Sequence, residues 1–156
     1  MIKKLIKTIM YFYEIIIRDV TSLGGTPFYI LTLLFTLVFG QMALFWELFV
    51  GMLFITLIII LIRLVYFRER PRKQKYSNIV EKLDASSFPS MHTARIFFLA
   101  LVLLSFFGNK IFSVLLLSLA LLVAYSRIYL RKHDFIDLLG GLILAGITYY
   151  LGALLF

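Results

Sequence analysis

The chain has 156 residues, of which 62% are hydrophobic and only 15% charged, and it contains no cysteine. Soluble domains are about 45–50% apolar and about 25% charged, so this composition favours an all-α bundle of membrane-spanning helices in one domain. The net charge of +8 indicates an anionic or phosphorylated lipid partner rather than nucleic acid, because the cations flank apolar segments. The absence of cysteine excludes disulfides and thiolate metal sites.

Residues 1–20 predict an amphipathic helix unlike the segments that follow it. Its polar face carries residues at steps of three and four: Lys4, Lys7, Tyr11, Glu14 and Arg18. A basic amphipathic helix of this kind lies in the membrane interface, and the alternative is a weakly hydrophobic sixth span. Glycine and proline in residues 21–27 then end the helix.

Five apolar segments follow, and we expect each to form a transmembrane helix. They cover residues 27–40, 48–66, 89–107, 111–130 and 135–156. The first is short against the roughly 20 residues that a bilayer crossing needs. The connections are predicted as a tight turn at 41–47, a long polar loop at 67–88, a turn at 108–109 and a hinge at 131–134.

Three polar clusters interrupt these apolar segments. They are Arg63 with Arg70-Pro71, then Pro89-Ser90-Met91-His92, then Ser126-Arg127 with His133 and Asp137. An ionisable residue near a membrane span is costly, so it indicates function. When the spans are threaded in order, all three clusters reach the same face of the membrane, as does the amino-terminal helix. We therefore predict that the clusters form one site.

The third cluster predicts a nucleophile and its partner. His133 and Asp137 are four residues apart, which places them above one another on a helix face. A carboxylate on one imidazole nitrogen fixes the tautomer and leaves the other nitrogen free to attack, so His133 would form a phosphohistidine. The alternative is a surface histidine with a helical salt partner.

The remaining polar residues predict proton transfer and phosphate binding. His92, in the first turn of its span, is placed to protonate a leaving alkoxide and later to activate water. The guanidinium groups of Arg63, Arg70 and Arg127 match phosphate oxygens, and Ser90 adds a hydroxyl at a helix N-terminus.

The plainer interpretation makes arginines interface anchors that extend towards water. That interpretation fits Arg68, Arg72, Lys73 and Lys75, and it fits Arg127 less well because an apolar helix continues around it. Arg95 shares a helix face with His92 and either supports the site or pairs with an acid. No metal or other cofactor is predicted, since the eight acidic residues form no carboxylate cluster and the two histidines have unrelated spacing.

Together the clusters resemble the motif of the type 2 phosphatidic acid phosphatase (lipid phosphate phosphatase) superfamily. That motif is Lys, six residues, Arg-Pro; then Pro-Ser-Gly-His; then Ser-Arg, five residues, His, three residues, Asp. The third cluster matches completely, while Arg63 stands where the family has lysine and Met91 where it has glycine. The resemblance covers about residues 21–156, which we predict as the membrane-embedded phosphatase domain. Soluble vanadium haloperoxidases share the pocket, but the hydrophobicity of this chain disfavours that branch.

The resemblance implies metal-independent hydrolysis of a lipid phosphate ester within a helical bundle. By it, His133 is the nucleophile, His92 the acid and base, and Asp137 the residue that orients His133. The implied phosphate ligands are Arg63, Arg70, Ser90 and Arg127. Candidates for supporting positions behind them are Pro71, Met91, Arg95 and Ser126.

The substrate and the orientation follow from charge and from the resemblance. The candidate substrates are lipid A 1-phosphate, phosphatidylglycerophosphate and undecaprenyl pyrophosphate, and the basic residues of 1–20 and 67–88 favour lipid A. Among the 16 lysines and arginines, only Lys110 clearly belongs to the opposite face, which by the positive-inside rule predicts a cytoplasmic site. Bacterial family members face the periplasm, and we expect that orientation in the inner membrane. The alternative function is an inactive member that binds or transports phosphorylated lipid.

Overall fold

A computed structural model describes residues 1–155, except the side chain of Lys3, and the predicted end of the last span at Phe156 lies outside them. These residues form seven helices and no strand. The helices are α1 (Ile2–Ser22), α2 (Thr26–Val38), α3 (Met42–Val65), α4 (Ile79–Ala85), α5 (Met91–Phe107), α6 (Lys110–Tyr129) and α7 (Phe135–Leu155). The predicted all-α membrane bundle is confirmed.

All five predicted spans are helical, but they differ in length. In the described part of the chain, α3, α6 and α7 are long and apolar enough to cross a membrane. Helix α5 has 17 residues and α2 has 13. Helices α1 and α2 bend by 47° at a short break, and together they qualify as one broken span.

The turn predicted at residues 41–47 was wrong in its length, because the observed turn is shorter. The chain reverses at Gly40, whose φ of 67° suits glycine, and α3 begins at Met42. Trp46 and Glu47 therefore lie within the helix rather than in a turn. No glycine or proline separates Met42 from Glu47, so nothing in that stretch stops the helix from starting early.

The polar loop at 67–88 contains a short helix, α4, that was not predicted. Asn78 caps it by accepting a hydrogen bond from the Glu81 backbone N–H at 2.8 Å. The Glu81 carboxylate in turn accepts from the backbone N–H of Ser77 at 2.7 Å. The pattern resembles a capping box, except that Glu81 accepts from the residue before the N-cap, so Asn78 with Glu81 three residues later was a signal for α4.

Helix α5 lies at the centre of the bundle and packs against α3, α6 and α7. Two glycines permit this packing. A Cβ on Gly141 of α7 would lie 2.6 Å from the Ser90 carbonyl oxygen, and a Cβ on Gly51 of α3 would lie 2.1 Å from the Phe98 ring. The close approach at Gly141 brings the start of α7 against the start of α5, where the polar clusters lie.

Candidate active site

The three polar clusters meet at one end of the bundle, where α3 and α6 end and α5 and α7 begin. Backbone hydrogen bonds join these ends: Ser90 N–H donates to the Asp137 carbonyl at 2.9 Å, and His133 N–H donates to the Arg127 carbonyl at 3.2 Å. The Arg63 guanidinium donates to the Pro89 carbonyl at 3.0 Å. Residues far apart in sequence are therefore fixed side by side by the backbone.

The two helices that begin here are capped by polar side chains. Ser90 is the N-cap of α5, with its hydroxyl 2.9 Å from the Thr93 hydroxyl and 3.4 Å from the Thr93 backbone nitrogen. Asp134 caps α7, because one carboxylate oxygen accepts from the backbone N–H groups of Ile136 and Asp137 at 3.1 and 3.2 Å. The caps fix where each helix starts and thus the height of His92 and Asp137.

His133 and Asp137 are fully buried and face each other, with His133 Nδ1 at 3.5 Å from Asp137 Oδ2. This distance is longer than a normal hydrogen bond. His133 lies in the hinge predicted at 131–134, before α7 begins at Phe135, and not on the helix face that its four-residue spacing from Asp137 indicated. The pair meets because the first turn of α7 brings Asp137 back over the hinge.

The surroundings of His133 favour its neutral form. Burial is the main cause that lowers its pKa from the ordinary value of 6.5, and the charges of Arg127 and Arg70 lower the pKa further. Asp137 acts in the opposite direction. A neutral imidazole is the form that can attack phosphorus.

The three arginines predicted to bind phosphate are all at least nine-tenths buried at this end. Arg63 also donates to the Leu83 carbonyl at 2.9 Å, and Arg70 donates to the Gln74 side chain and the Asp84 carbonyl. Arg127 donates to the Thr21 hydroxyl at 3.2 Å. Burial lowers the pKa of Arg70, while Asp84 and Asp137 raise it.

Unpartnered donors concentrate in the same place. Within the described residues, five buried side-chain atoms have no hydrogen-bond partner: Nε of Arg63, Arg70, Arg95 and Arg127, and Nδ1 of His133. A buried donor without a partner costs about 1–3 kcal/mol, and more when it is charged. Four of the five belong to the predicted nucleophile and phosphate ligands, and an anion with several acceptor oxygens is the chemistry that satisfies such donors.

His92 and the predicted supporting residues surround this group. A Cβ on Gly24 would lie 3.0 Å from His92 Cβ, so the break between α1 and α2 packs directly on His92. Ser126 is fully buried and donates to the Val123 carbonyl at 2.6 Å. Met91 is half-buried beside His92, and Pro71 is exposed at the rim.

Arg95 lies one turn further along α5 and is 7% exposed. Its guanidinium donates to the Thr26 hydroxyl at 2.7 Å and lies 3.5 Å from the Thr56 hydroxyl. Over residues 1–155 Arg95 forms no ion pair, so pairing with an acid, one of the two expected roles, is not observed. Two helices outside α5 hold it through hydroxyl groups instead.

Arg68 and Thr21 contribute to the site and were missed. Arg68 was interpreted as a surface anchor, but it donates to Asp137 Oδ1 at 2.9 Å and to Asp134 Oδ2 at 2.7 Å. Thr21 Oγ1 lies 2.8 Å from Ser126 Oγ and accepts from Arg127. The position of Arg68 between Arg63 and Arg70 was a possible signal, whereas Thr21 carried none.

The described residues include no group of three or more histidine, cysteine, aspartate or glutamate side chains that is placed to hold a metal ion. The donor set at this end is instead dominated by guanidinium groups, which repel cations. The arrangement is therefore suited to an anion held by arginines beside a buried histidine.

Comparison with known proteins agrees with this geometry. A family model described as the PAP2 superfamily matches residues 44–156. The chain is also similar to the crystal structure of LpxE from Aquifex aeolicus, with a TM-score of 0.75 and 22% identity over 91% of this chain and 86% of that one. No curated protein matches the chain. The matched family segment begins in α3, so α1, α2 and Thr21 lie outside it.

Proposed function

Because the chain belongs to the PAP2 superfamily, we propose that it is an integral membrane phosphatase that hydrolyses a lipid phosphate without a metal ion, through a phosphohistidine. The observation that carries the proposal is the set of buried, unpartnered guanidinium donors beside His133. Three arginine forks around one histidine provide what phosphoryl transfer needs, namely positioning and stabilisation of charge.

In this proposal Arg63, Arg70 and Arg127 hold the phosphoryl oxygens, and Ser90 contributes at the start of α5. Their Nε atoms are free to bind the anion while other nitrogens of the same groups bind the protein. The contacts with the protein keep each guanidinium in place, so little conformational freedom is lost when the phosphate arrives.

The reaction would proceed in two displacements. His133 Nε2 attacks phosphorus, the bond from phosphorus to the lipid oxygen breaks, and His92 gives its proton to that oxygen. His92 then takes a proton from water, whose oxygen attacks the phosphohistidine and releases inorganic phosphate and neutral His133. Asp137 orients His133 and stabilises the positive charge that develops on the ring.

We further propose lipid A 1-phosphate as the preferred substrate, ahead of phosphatidylglycerophosphate and undecaprenyl pyrophosphate. The basic residues of α1 and of the polar loop 67–88 suit a large anionic head group. The proposed location is the bacterial inner membrane with the site facing the periplasm. Helix α1 would lie in the membrane interface at that face.

The test is phosphate release in detergent with EDTA present, on the three lipids, for the wild type, His133→Ala and the exposed control Lys110→Ala. We expect the wild type and the control to be active with EDTA, and His133→Ala to lose about 10³-fold or more in kcat. Labelled phosphate should be trapped on wild-type protein and absent from His133→Ala.

Each part of the proposal has its own contrary result. A requirement for added metal would refute the metal-independent mechanism. Wild-type protein that binds the lipids but releases no phosphate would instead indicate an inactive member that binds or transports phosphorylated lipid. Equal turnover of the three lipids would remove the preference for lipid A.

A further inference from the structure

We propose that Arg68 is a positioning residue that holds Asp137 in place and limits how strongly Asp137 draws a proton onto His133. Arg68 occupies one of the six unspecified positions between Arg63 and Arg70 of the family motif. The role rests on the proposed function, in which His133 attacks phosphorus, but the contacts that support it are independent of the substrate.

The first support is the forked contact of Arg68 with two carboxylates at the start of α7. Its Nη1 donates to Asp137 Oδ1 at 2.9 Å, and its Nη2 donates to Asp134 Oδ2 at 2.7 Å. The side chains of Asp137, Arg68 and Asp134 are 0%, 24% and 41% exposed, respectively. Since Asp134 caps α7, one guanidinium ties the helix cap to the residue that orients His133.

The second support is that the backbone around Arg68 is itself fixed against the site. Arg68 N–H donates to the Ser86 hydroxyl at 3.3 Å, and Ser87 N–H donates to the Arg68 carbonyl at 2.8 Å. The Ser87 hydroxyl also donates to Asp137 Oδ1 at 3.3 Å. Arg72, four residues further on, has an exposed side chain. Arg68 is therefore built into the site rather than free to extend into solvent.

The third support is that the two carboxylate oxygens of Asp137 have different partners. Oδ1 accepts hydrogen bonds from Arg68 and Ser87. Oδ2 accepts from the Asp134 backbone N–H at 3.0 Å and lies 3.5 Å from His133 Nδ1. A cation on Oδ1 offsets part of the carboxylate charge, so Asp137 stabilises a protonated His133 less than a lone carboxylate would.

The other charged groups around His133 and Asp137 either oppose protonation of His133, as Arg68 does, or take part in the proposed reaction. They are Arg63 on α3, Arg70 before α4, His92 on α5 and Arg127 on α6. Each arginine also disfavours a proton on His133 or attracts Asp137. Among the cations, Arg68 is the one with a direct ion pair to Asp137, so its removal isolates the effect on this carboxylate.

The experiment compares Arg68→Gln with Arg68→Lys and with the exposed control Lys110→Gln at the opposite end of the bundle, in detergent, over a range of pH. We expect Arg68→Gln to lower kcat by about 10-fold with KM within about 2-fold, and to move the acidic limb of kcat/KM up by about 0.5–1 pH unit. Arg68→Lys retains the charge and should keep the limb of the wild type. Lys110→Gln should match the wild type throughout.

An NMR titration of the His133 ring provides a readout that needs no activity. Its midpoint should rise by about 0.5–1 pH unit in Arg68→Gln and stay unchanged in Arg68→Lys. An unmoved midpoint in folded Arg68→Gln, or equal midpoints in the two variants, overturns the inference even if the protein is an active phosphatase. A raised KM with unchanged kcat would make Arg68 a direct phosphate ligand and overturn it as well.

Discussion

The two ends of the helical bundle are built from different side chains. At the end where α5 and α7 begin, Arg63, Arg127, His133 and Asp137 are all buried. At the opposite end, the start of α3 and the end of α5 expose aromatic side chains such as Trp46 and Phe107. A cavity of about 260 Å³ there has an almost entirely apolar lining.

This difference shows where the molecule tolerates the cost of buried charge. Removing a charged group from water costs several kcal/mol unless other groups compensate for it. The first end bears this cost with four arginines that keep an unpartnered nitrogen. The opposite end has Glu47 in the cavity lining, but its side chain is only partly buried. Among the residues that the structure describes, buried charge thus lies at the end where a phosphate would bind.

Among the substitutions that test this difference between the two ends of the bundle, the largest effect is expected at Gly141. An added Cβ would lie 2.6 Å from the Ser90 carbonyl oxygen, and backbone at that distance cannot move without shifting the start of α5. We expect Gly141→Ala to lower the free energy of unfolding by about 1–3 kcal/mol, measured by thermal unfolding in detergent, and to lower kcat because Ser90 and His92 move with α5.

Gly146 supplies the matched control on the same helix. A Cβ there would have no neighbour within 4 Å. Gly146→Ala should leave kcat unchanged and stabilise the helix by up to about 1 kcal/mol. If both variants behave alike, the close approach of α7 to α5 does not determine the geometry of the site.

Much of the fold could be predicted from the sequence, because apolar segments and the glycine and proline breaks between them depend on nearby residues. The connections were harder. Helix α3 starts six residues before its predicted start at residue 48, since Trp46 and Glu47 are polar or interfacial in type yet compatible with a helix. Helix α4 was missed although Asn78 is a favourable N-cap with Glu81 three residues later.

The predicted site residues were recognised by residue type and spacing, which can be read from a single sequence. The side-chain contacts of Arg68 and Thr21 were not recognised, because they join residues 66 or more positions apart. No periodicity relates Thr21 to Ser126, and only packing of α1 on α6 brings them together. The C-terminal end of α1 thus contributes to the end of the bundle that holds the site, and the matched family segment, residues 44–156, contains that end only in part.

A smaller effect is expected at Thr21, whose hydroxyl holds the Arg127 guanidinium at 3.2 Å. Thr21→Val keeps the shape and removes the acceptor, so Arg127 should lose its position. We expect kcat/KM to fall by about 5–10-fold, which corresponds to about 1–1.4 kcal/mol and lies within the range of a typical hydrogen bond. Phosphate release from the preferred lipid measures it.

Thr8→Val is the matched control for Thr21→Val, because Thr8 is exposed on the same helix and its hydroxyl donates only to the Lys4 carbonyl, at 3.0 Å. This variant should keep the wild-type kcat/KM. Equal losses in the two variants would mean that α1 acts through its membrane contacts rather than through Arg127.

The smallest effect concerns the pH dependence of stability at His133. Burial lowers the pKa of His133 in the folded protein below its ordinary value of 6.5, so the unfolded chain takes up this proton first as pH falls. The stability contribution is therefore fully present above pH 6.5 and is lost as pH falls from 6.5 towards the lowered pKa. The acidic limb of kcat/KM should likewise lie below pH 6.5.

This expectation is tested by measuring unfolding temperatures between pH 7.5 and pH 5, about the range in which histidine changes charge. The variants compared with the wild type are His133→Gln and Glu47→Gln. The loss of stability on acidification should be weaker in His133→Gln, because its side chain cannot take up the proton. Glu47→Gln, at the opposite end of the bundle, should retain the wild-type decrease over pH 6.5–5.5 and kcat within about 2-fold, since a partly exposed carboxylate contributes little there. A steeper decrease in His133→Gln would mean that folding raises the pKa of His133, and the neutral nucleophile would then be lost at neutral pH.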